Sequence, residues 1–349
     1  MMPSSASPVT QTLLIDGTYA GGQRGVWRST GLYANAGELV SVRLPSSAAS
    51  AGLKLRIGCH TDNLHSLNAN KNKQMQRFPE ITKTIDLDQE LVSTAWAFGG
   101  LLYVTVPGGV ALGSINVTIS GAFMAPLYIH GKDSLADWQA RLATSAAPWG
   151  ELVSSKIIIT VSSSILRTYA ADPITIMNTW DLLMDAAANL SGIPKGIPRA
   201  RVREERIVAD RQISAGSMHS GYPIMGFEGD YTKRFLLVGA NDGNTWGPFH
   251  EIGHNNQRRG WSLPGASCRT SPDTASEVLT CLSDHPIAHT TSQSVCYICQ
   301  VRARPRATSG LLGCTRSSVH RVSMSRIIWR KNQWSGRRGW PTTERTKIT

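Results

Sequence analysis

The fold is decided by one stretch, Trp246-Gly-Pro-Phe-His250-Glu251-Ile-Gly-His254-Asn255-Asn256-Gln257, which contains the pattern H-E-x-x-H. In a helix, the i,i+4 spacing places His250 and His254 one turn apart on the same face, so both imidazoles can reach one Zn²⁺. Glu251 then points towards the open side of the metal, where it can take a proton from water and return it to a leaving amine. The spacing therefore predicts a zinc peptidase site.

The residues before this stretch support a helix in that place. Arg234-Phe-Leu-Leu-Val-Gly239 predicts a short buried strand, and Asn241-Asp-Gly-Asn-Thr245 has the composition of a turn. Either Asn244 or Thr245 can cap the helix that follows.

A catalytic zinc usually has three protein ligands, so the sequence should supply one more. We choose Glu277 as the third ligand because Thr274-Ala-Ser-Glu277-Val-Leu-Thr-Cys-Leu can form one helical face. The other candidates after Trp261 are Asp273, Asp284, His285, His289, His320 and Glu344.

Charge and cysteine content both change near residue 262. Residues 262–349 carry thirteen Lys/Arg against four Asp/Glu, whereas residues 1–261 carry 23 against 20. Five of the six cysteines also lie after residue 262. Because the body of the chain is nearly neutral, the overall net charge of +12 does not predict a nucleic-acid partner.

The start of the chain lacks the features of a secretory signal. Residues 1–8 have neither a charged n-region nor a long apolar h-region. The sequence also has no apolar run long enough to span a bilayer. We therefore expect a protein that is cytoplasmic or peripheral at the plasma membrane, with no membrane span.

Residues 10–130 alternate between apolar and polar side chains with the period of β-strands. This pattern, with β-branched residues and Gly, Pro, Ser and Asn between the runs, predicts a β-sandwich after a disordered segment, residues 1–9. The predicted strands are Glu38–Leu44, Leu53–Gly58, Ile81–Leu87, Leu101–Val106 and Ser114–Ser120.

Helical and strand patterns alternate from residue 131 to 261. Lys132–Leu142 predicts a helix, and Asp172-Pro173 predicts a cap and first turn of another that runs to Ala188. Lys156–Val161 and Arg206–Asp210 predict strands. The fold class is therefore α+β, with a zincin-type peptidase domain in residues 131–261.

Five stretches resemble one known family, the enhancin-like (mucin-degrading) zinc metallopeptidases, and in particular its animal branch, the TRP-channel-associated factors. The stretches are Trp27–Tyr33, Arg56–Asn63, Phe98–Val104, Gln212–Met225 and Trp246–Gln257. The resemblance implies a β-sandwich followed by a gluzincin-like peptidase domain, with His250 and His254 as zinc ligands and Glu251 as general base.

The resemblance implies two alternative functions. In enzymatic members the substrates are glycoproteins, which predicts zinc-dependent hydrolysis of peptide bonds in protein or glycoprotein substrates. In the vertebrate branch the implied role is binding and regulation of a TRP-family cation channel at the plasma membrane.

The resemblance ends after Trp261. The family continues with a Pro-containing segment and a helix whose glutamate is the third ligand, and Glu277 lies several residues later than that glutamate would. Residues 262–349 form an irregular basic tail that looks frame-altered. We therefore expect the peptidase domain to be truncated.

Two further residues are candidates for the active site. His219 and Tyr222 lie in Met218-His-Ser-Gly-Tyr-Pro, and a His or Tyr beside a zinc site can donate a hydrogen bond to an oxyanion. Packing or a turn is the alternative role for both.

Overall fold

The computed structural model describes residues 6–21, 25–65, 74–190, 203–229, 232–236 and 246–256. The predicted ligand Glu277 and the tail, residues 262–349, lie outside these ranges, as do the predicted cap residues Asn244 and Thr245.

The N-terminal part consists of eight antiparallel strands in the described ranges. They hydrogen-bond in the order β5-β4-β7-β2-β8-β3-β6, and β1 pairs with β8. Their bounds are β1 Val9–Tyr19, β2 Val26–Ala34, β3 Leu39–Arg43, β4 Lys54–Ile57, β5 Lys83–Asp86, β6 Leu91–Ala95, β7 Gly100–Val106 and β8 Val110–Met124, with a helical turn α1 at Ser46–Ala49.

The long strand β8 joins the two layers of a β-sandwich. It pairs with β1 from Val110 to Ala122 and with β3 from Thr118 to Ser120, whereas Phe123 and Met124 pair with β2. Between these segments Gly121 has a φ of +80°, and a Cβ there would clash with the Leu39 carbonyl oxygen. Both layers bury alternate residues in one core, for example Val42 and Val117 from one and Leu55 and Val104 from the other.

The second part is a six-stranded mixed sheet of order β13-β14-β12-β11-β10-β9. β9 pairs with β10, β11 with β12, and β12 with β14 in parallel, whereas β10–β11 and β13–β14 are antiparallel. The strands are β9 Leu127–Ile129, β10 Trp149–Val153, β11 Ile157–Ser162, β12 Glu205–Asp210, β13 Met218–His219 and β14 Ile224–Phe227.

Helices pack on one face of this sheet. They are α2 Leu135–Thr144, α3 Ser163–Tyr169, α4 Pro173–Leu190, α5 Lys233–Leu236 and α6 Trp246–Asn256. Asp172 caps α4 as predicted, because its Oδ1 accepts hydrogen bonds from the Ile174 and Thr175 backbone amides. Trp180 and Met184 of α4 are fully buried in the core between this helix and the sheet.

The β-sandwich packs on the opposite face of the second sheet. Since side chains alternate along a strand, β12 sends Ile207 and Ala209 into the helix core and Val208 towards the sandwich, where it packs beside Trp27 and Tyr103. Both faces are therefore buried, and the two parts share an extensive contact.

About half of these elements are predicted from the sequence, and one predicted segment is wrong. Seven predicted strands and three predicted helices, including the helix of the H-E-x-x-H stretch, are present with bounds that differ by a few residues. The predicted strand at Arg234–Gly239 is wrong, because α5 occupies Lys233–Leu236. Phe235 and Leu236 are buried there, and a short apolar run does not distinguish a buried turn from a buried strand.

Candidate active site

Helix α6 carries the H-E-x-x-H pattern. Phe249 and Ile252 of α6 are 1% exposed and fix it in the helix core. The Phe249 ring lies 5.8 Å from that of Trp180 in α4. The burial of these two apolar residues determines the rotation of the helix.

The rings of His250 and His254 lie close together on α6. The ring centroids of His250 and His254 are 4.5 Å apart, with an interplanar angle of 88°, and their Nε2 atoms are 3.0 Å apart. Two imidazole nitrogens bound tetrahedrally to one zinc at about 2.0–2.1 Å lie roughly 3.3 Å from each other. The observed separation is close to this value, so the pair fits a zinc ion.

The described residues supply only these two members of a zinc site. Within them, no group of three His, Cys, Asp or Glu side chains is arranged to hold a metal ion. Glu277 lies outside the described residues, so its role as third ligand stays a prediction.

Glu251 is 8% exposed and lies in a mixed electrostatic environment. Burial raises the pKa of its carboxyl group. His254, His219 and a hydrogen bond from the Ser220 backbone amide oppose this rise. A raised pKa brings a carboxylate closer to the range in which it is an effective general base.

His219 lies on β13 and is held by oxygen atoms on both sides of its ring. Its Nε2 is 2.8 Å from Asp62 Oδ2, and its Nδ1 is 3.0 Å from the Ser220 carbonyl oxygen. Both oxygens are acceptors, an arrangement that favours a proton on each ring nitrogen. The hydrogen bond to Asp62 accordingly raises the pKa of His219.

These contacts argue against the predicted role of His219 as a hydrogen-bond donor to an oxyanion. Both of its N–H groups already have acceptors, so a hydrogen bond to an oxyanion would require the release of one. The geometry instead favours a fixed positive charge that acts on Glu251 without direct contact with a substrate.

Tyr222 lies in the contact between the two parts of the chain. Its ring is 5.4 Å from that of Trp27, and the Arg203 guanidinium lies 3.7 Å from its centroid. The structure therefore supports the packing alternative for Tyr222.

Two residues of the site were missed by the sequence analysis. Asn255 joins α6 to the segment after β13, because its Oδ1 accepts from the Gly221 amide at 3.0 Å and its Nδ2 donates to the Gly221 carbonyl at 2.8 Å. Asp62 comes from the β-sandwich. Asp62 lies within Arg56–Asn63, a stretch that the resemblance marks, but nothing in the sequence indicates its contact with His219.

Together, the β-sandwich, the mixed sheet with helices on one face and the helix with converging histidines define a metallopeptidase-like domain behind an N-terminal β-domain. Two family models match the chain. "N-terminal domain of M60-like peptidases" matches residues 5–120, and "Peptidase M60, enhancin and enhancin-like" matches residues 121–268. The chain belongs to the enhancin-like M60 peptidase family, and Glu277 lies beyond the matched residues.

Curated relatives belong to the animal branch. The chain is 44% identical over 243 residues to TRPM8 channel-associated factor 2 of Homo sapiens, covering 70% of this chain and 25% of the relative. It is 40% identical over 253 residues to the TRPM8 channel-associated factor homolog of Xenopus laevis, covering 72% and 27%. The chain thus spans about a quarter of the length of the curated relatives it matches.

Solved structures share the fold. The IMPa metallopeptidase from Pseudomonas aeruginosa matches with a TM-score of 0.57 at 22% identity, over 81% of this chain and 33% of that one. The ZmpB metallopeptidase from Clostridium perfringens matches with a TM-score of 0.59 at 17% identity, over 78% and 58%. Within the described part of this chain, no helix is long and apolar enough to cross a bilayer.

Proposed function

We propose that this protein is a zinc-dependent metallopeptidase that hydrolyses peptide bonds of protein or glycoprotein substrates. The observation that carries the proposal is the convergence of the His250 and His254 Nε2 atoms, 3.0 Å apart, beside the buried Glu251. His250, His254 and Glu277 would hold the Zn²⁺. When bound, the metal supplies a Lewis acid that activates water and polarises the scissile carbonyl.

The chain's own residues move the proton. Glu251 accepts a proton from the attacking water and returns it to the leaving amine. Burial raises its pKa, which strengthens it as a base. His254, His219 and a hydrogen bond from the Ser220 backbone amide oppose that rise.

The substrate class is a further part of the proposal. The IMPa structure was solved in complex with an O-glycopeptide, and the ZmpC catalytic domain in complex with the sialyl T antigen. We extend this to a glycosylated substrate for the present chain.

A second function, in the channel-associated class, is favoured by the 44% identity to TRPM8 channel-associated factor 2. In this alternative the same fold binds and regulates a TRP-family cation channel, and the protein lies in the cytoplasm against the plasma membrane. Channel binding that survives Glu251→Gln would favour this function, because the substitution removes only the general base.

The first experiment measures zinc stoichiometry by elemental analysis of the full 349-residue chain. We expect about one zinc per chain, lost in His254→Ala and Glu277→Ala and retained in His65→Ala, whose side chain is 69% exposed on the sandwich. Zinc that is retained in His254→Ala would refute the site. Zinc that is lost in His254→Ala but retained in Glu277→Ala would show that another residue is the third ligand.

Glu251→Gln tests the chemistry. We expect this variant to keep its zinc and to lose hydrolysis of a quenched fluorescent O-glycopeptide by about 10²–10⁴-fold, as for removal of a general base. Equal hydrolysis by both proteins would refute the role of Glu251.

A further inference from the structure

A loop of the β-sandwich reaches the segment that lies against the candidate active site. Asp62 lies after β4 in the connection to β5, and its backbone carbonyl accepts a hydrogen bond from Arg77 Nη2 at 3.0 Å. Arg77 also donates to both carboxylate oxygens of Asp210, at the end of β12. With side chains 7% and 2% exposed, Arg77 and Asp210 fix the loop against the second sheet.

The Asp62 carboxylate, 8% exposed, is directed at two groups of the peptidase domain. Its Oδ2 accepts from the Ser214 backbone amide at 2.6 Å and from His219 Nε2 at 2.8 Å. The partners of Asp62 thus lie before and within β13, although Asp62 itself belongs to the other domain.

The segment after β13 carries this contact to α6. His219 Nδ1 lies 3.0 Å from the Ser220 carbonyl oxygen. The next residue, Gly221, is held through its amide and its carbonyl by Asn255, which directly follows His254 on α6. One continuous set of contacts therefore runs from Asp62 through His219, Ser220 and Gly221 to the helix that carries Glu251.

We propose that Asp62 is a positioning residue of the active site: it orients His219 and thereby fixes the segment Ser220–Gly221 against α6, the helix that carries Glu251. The β-sandwich thus completes the active site of the neighbouring domain. This inference rests on the proposed peptidase function, because it assigns Asp62 a role in how Glu251 is held.

A purely structural role is the competing explanation, because other ion pairs also join the two parts. Arg28 Nη1 lies 3.3 Å from Glu204 Oε1, and the other hydrogen bonds of Arg28 run to Asp16 and Thr18 in the sandwich. Glu204→Gln therefore serves as a matched control: it removes one interdomain carboxylate, as Asp62→Asn does, and leaves His219 untouched.

The experiment uses the full-length zinc-loaded chain, with a quenched O-glycopeptide as substrate. For Asp62→Asn we expect about a tenfold or greater fall in kcat, with KM within about twofold and zinc stoichiometry unchanged, which is the size typical for loss of an orienting partner. Glu204→Gln should leave kcat unchanged. His219→Gln should lower kcat like Asp62→Asn, and the double variant should be no worse than either single variant, because both remove the same interaction.

Amide hydrogen exchange provides a readout that does not depend on activity. Asp62→Asn should accelerate exchange in residues 217–222, whereas Glu204→Gln should not. If the wild-type chain binds zinc and hydrolyses nothing, the proposed function fails, and exchange alone then decides whether Asp62 orders this segment.

Three results would overturn the inference. One is an Asp62→Asn variant with kcat and exchange like those of Glu204→Gln. Another is a fall in kcat that is fully explained by a smaller folded fraction of the variant, measured by thermal unfolding. The third applies if Asp62→Asn does not fold. His219→Gln is then tested instead, and a kcat and an exchange rate equal to those of the wild type would overturn the inference.

Discussion

His219 has an acceptor oxygen at each ring nitrogen, Asp62 Oδ2 at one and the Ser220 carbonyl at the other, which favours its protonated form. The pair it forms with Asp62 depends on pH at both ends. Hydrogen bonds from His219 and Ser214 outweigh the effect of burial and hold the pKa of Asp62 below its ordinary 3.8. The same hydrogen bond holds the pKa of His219 above its ordinary 6.5.

These directions give a pH-dependent contribution to stability. The contribution from Asp62 is complete above pH 3.8 and is lost as pH falls through its lowered pKa. That from His219 is complete below pH 6.5 and is lost as pH rises through its raised pKa. Urea unfolding should therefore show the largest wild-type advantage over His219→Gln, about 1–2 kcal/mol, between those two values. An advantage that grows above pH 8 would contradict the assignment.

At the scale of elements, α6 is held in place mainly by its apolar face. Phe249→Ala should lower the free energy of unfolding by about 3–5 kcal/mol, because Phe249 is 1% exposed and the change leaves a cavity against Trp180. Urea unfolding measures this. Leu182→Ala on α4 is the control, since Leu182 is 56% exposed and should change stability by less than about 0.5 kcal/mol.

The passage of β8 between layers depends on Gly121. Gly121→Ala combines a φ of +80° with a clash against the Leu39 carbonyl. Gly113→Ala on the same strand has a φ of +67° with nothing within 4 Å of the new Cβ. We expect a cost of about 1 kcal/mol for Gly113→Ala and clearly more for Gly121→Ala, measured by thermal unfolding. Equal costs would show that the clash relaxes freely.

Local pattern explains which elements the sequence predicts. Period-two alternation in Leu53–Gly58 and the Asp172-Pro173 start of α4 are local signals, and both predictions are confirmed. The convergence of His250 and His254 follows from helix geometry alone. Asp62 is different, because its partner lies 157 residues away and only the packing of two domains brings them together. The short run at Phe235 failed because burial there does not specify a backbone conformation.

At the scale of the whole molecule, buried charge joins the sandwich to the second sheet. Arg206 is fully buried and pairs with Glu151, which also accepts from Tyr103 Oη and Thr160 Oγ1. Arg206→Met should lower the free energy of unfolding by about 3–5 kcal/mol, because it leaves a buried carboxylate without its partner. Adding Glu151→Gln should recover part of this loss.

The matched control is Lys54→Met. The Lys54–Asp86 pair lies at the surface of the sandwich, with side chains 46% and 66% exposed. Loss of this pair should lower the free energy of unfolding by less than about 1 kcal/mol, and urea unfolding measures both this variant and Arg206→Met. We also expect one cooperative transition for the described domains, and two separate transitions would show that the buried pair does not couple them.

Because both faces of β12 are buried, changes in the length of this strand should be tolerated poorly. Substitutions in Glu205–Asp210 affect one core at a time. Deletion of a single codon would instead exchange the faces, because a shift of one residue turns every following side chain to the opposite side of a sheet. Arg206 would then face the helices and Ile207 the sandwich, so both cores would fail together. We therefore expect this strand to keep a constant length among homologues, while its surrounding loops vary in length.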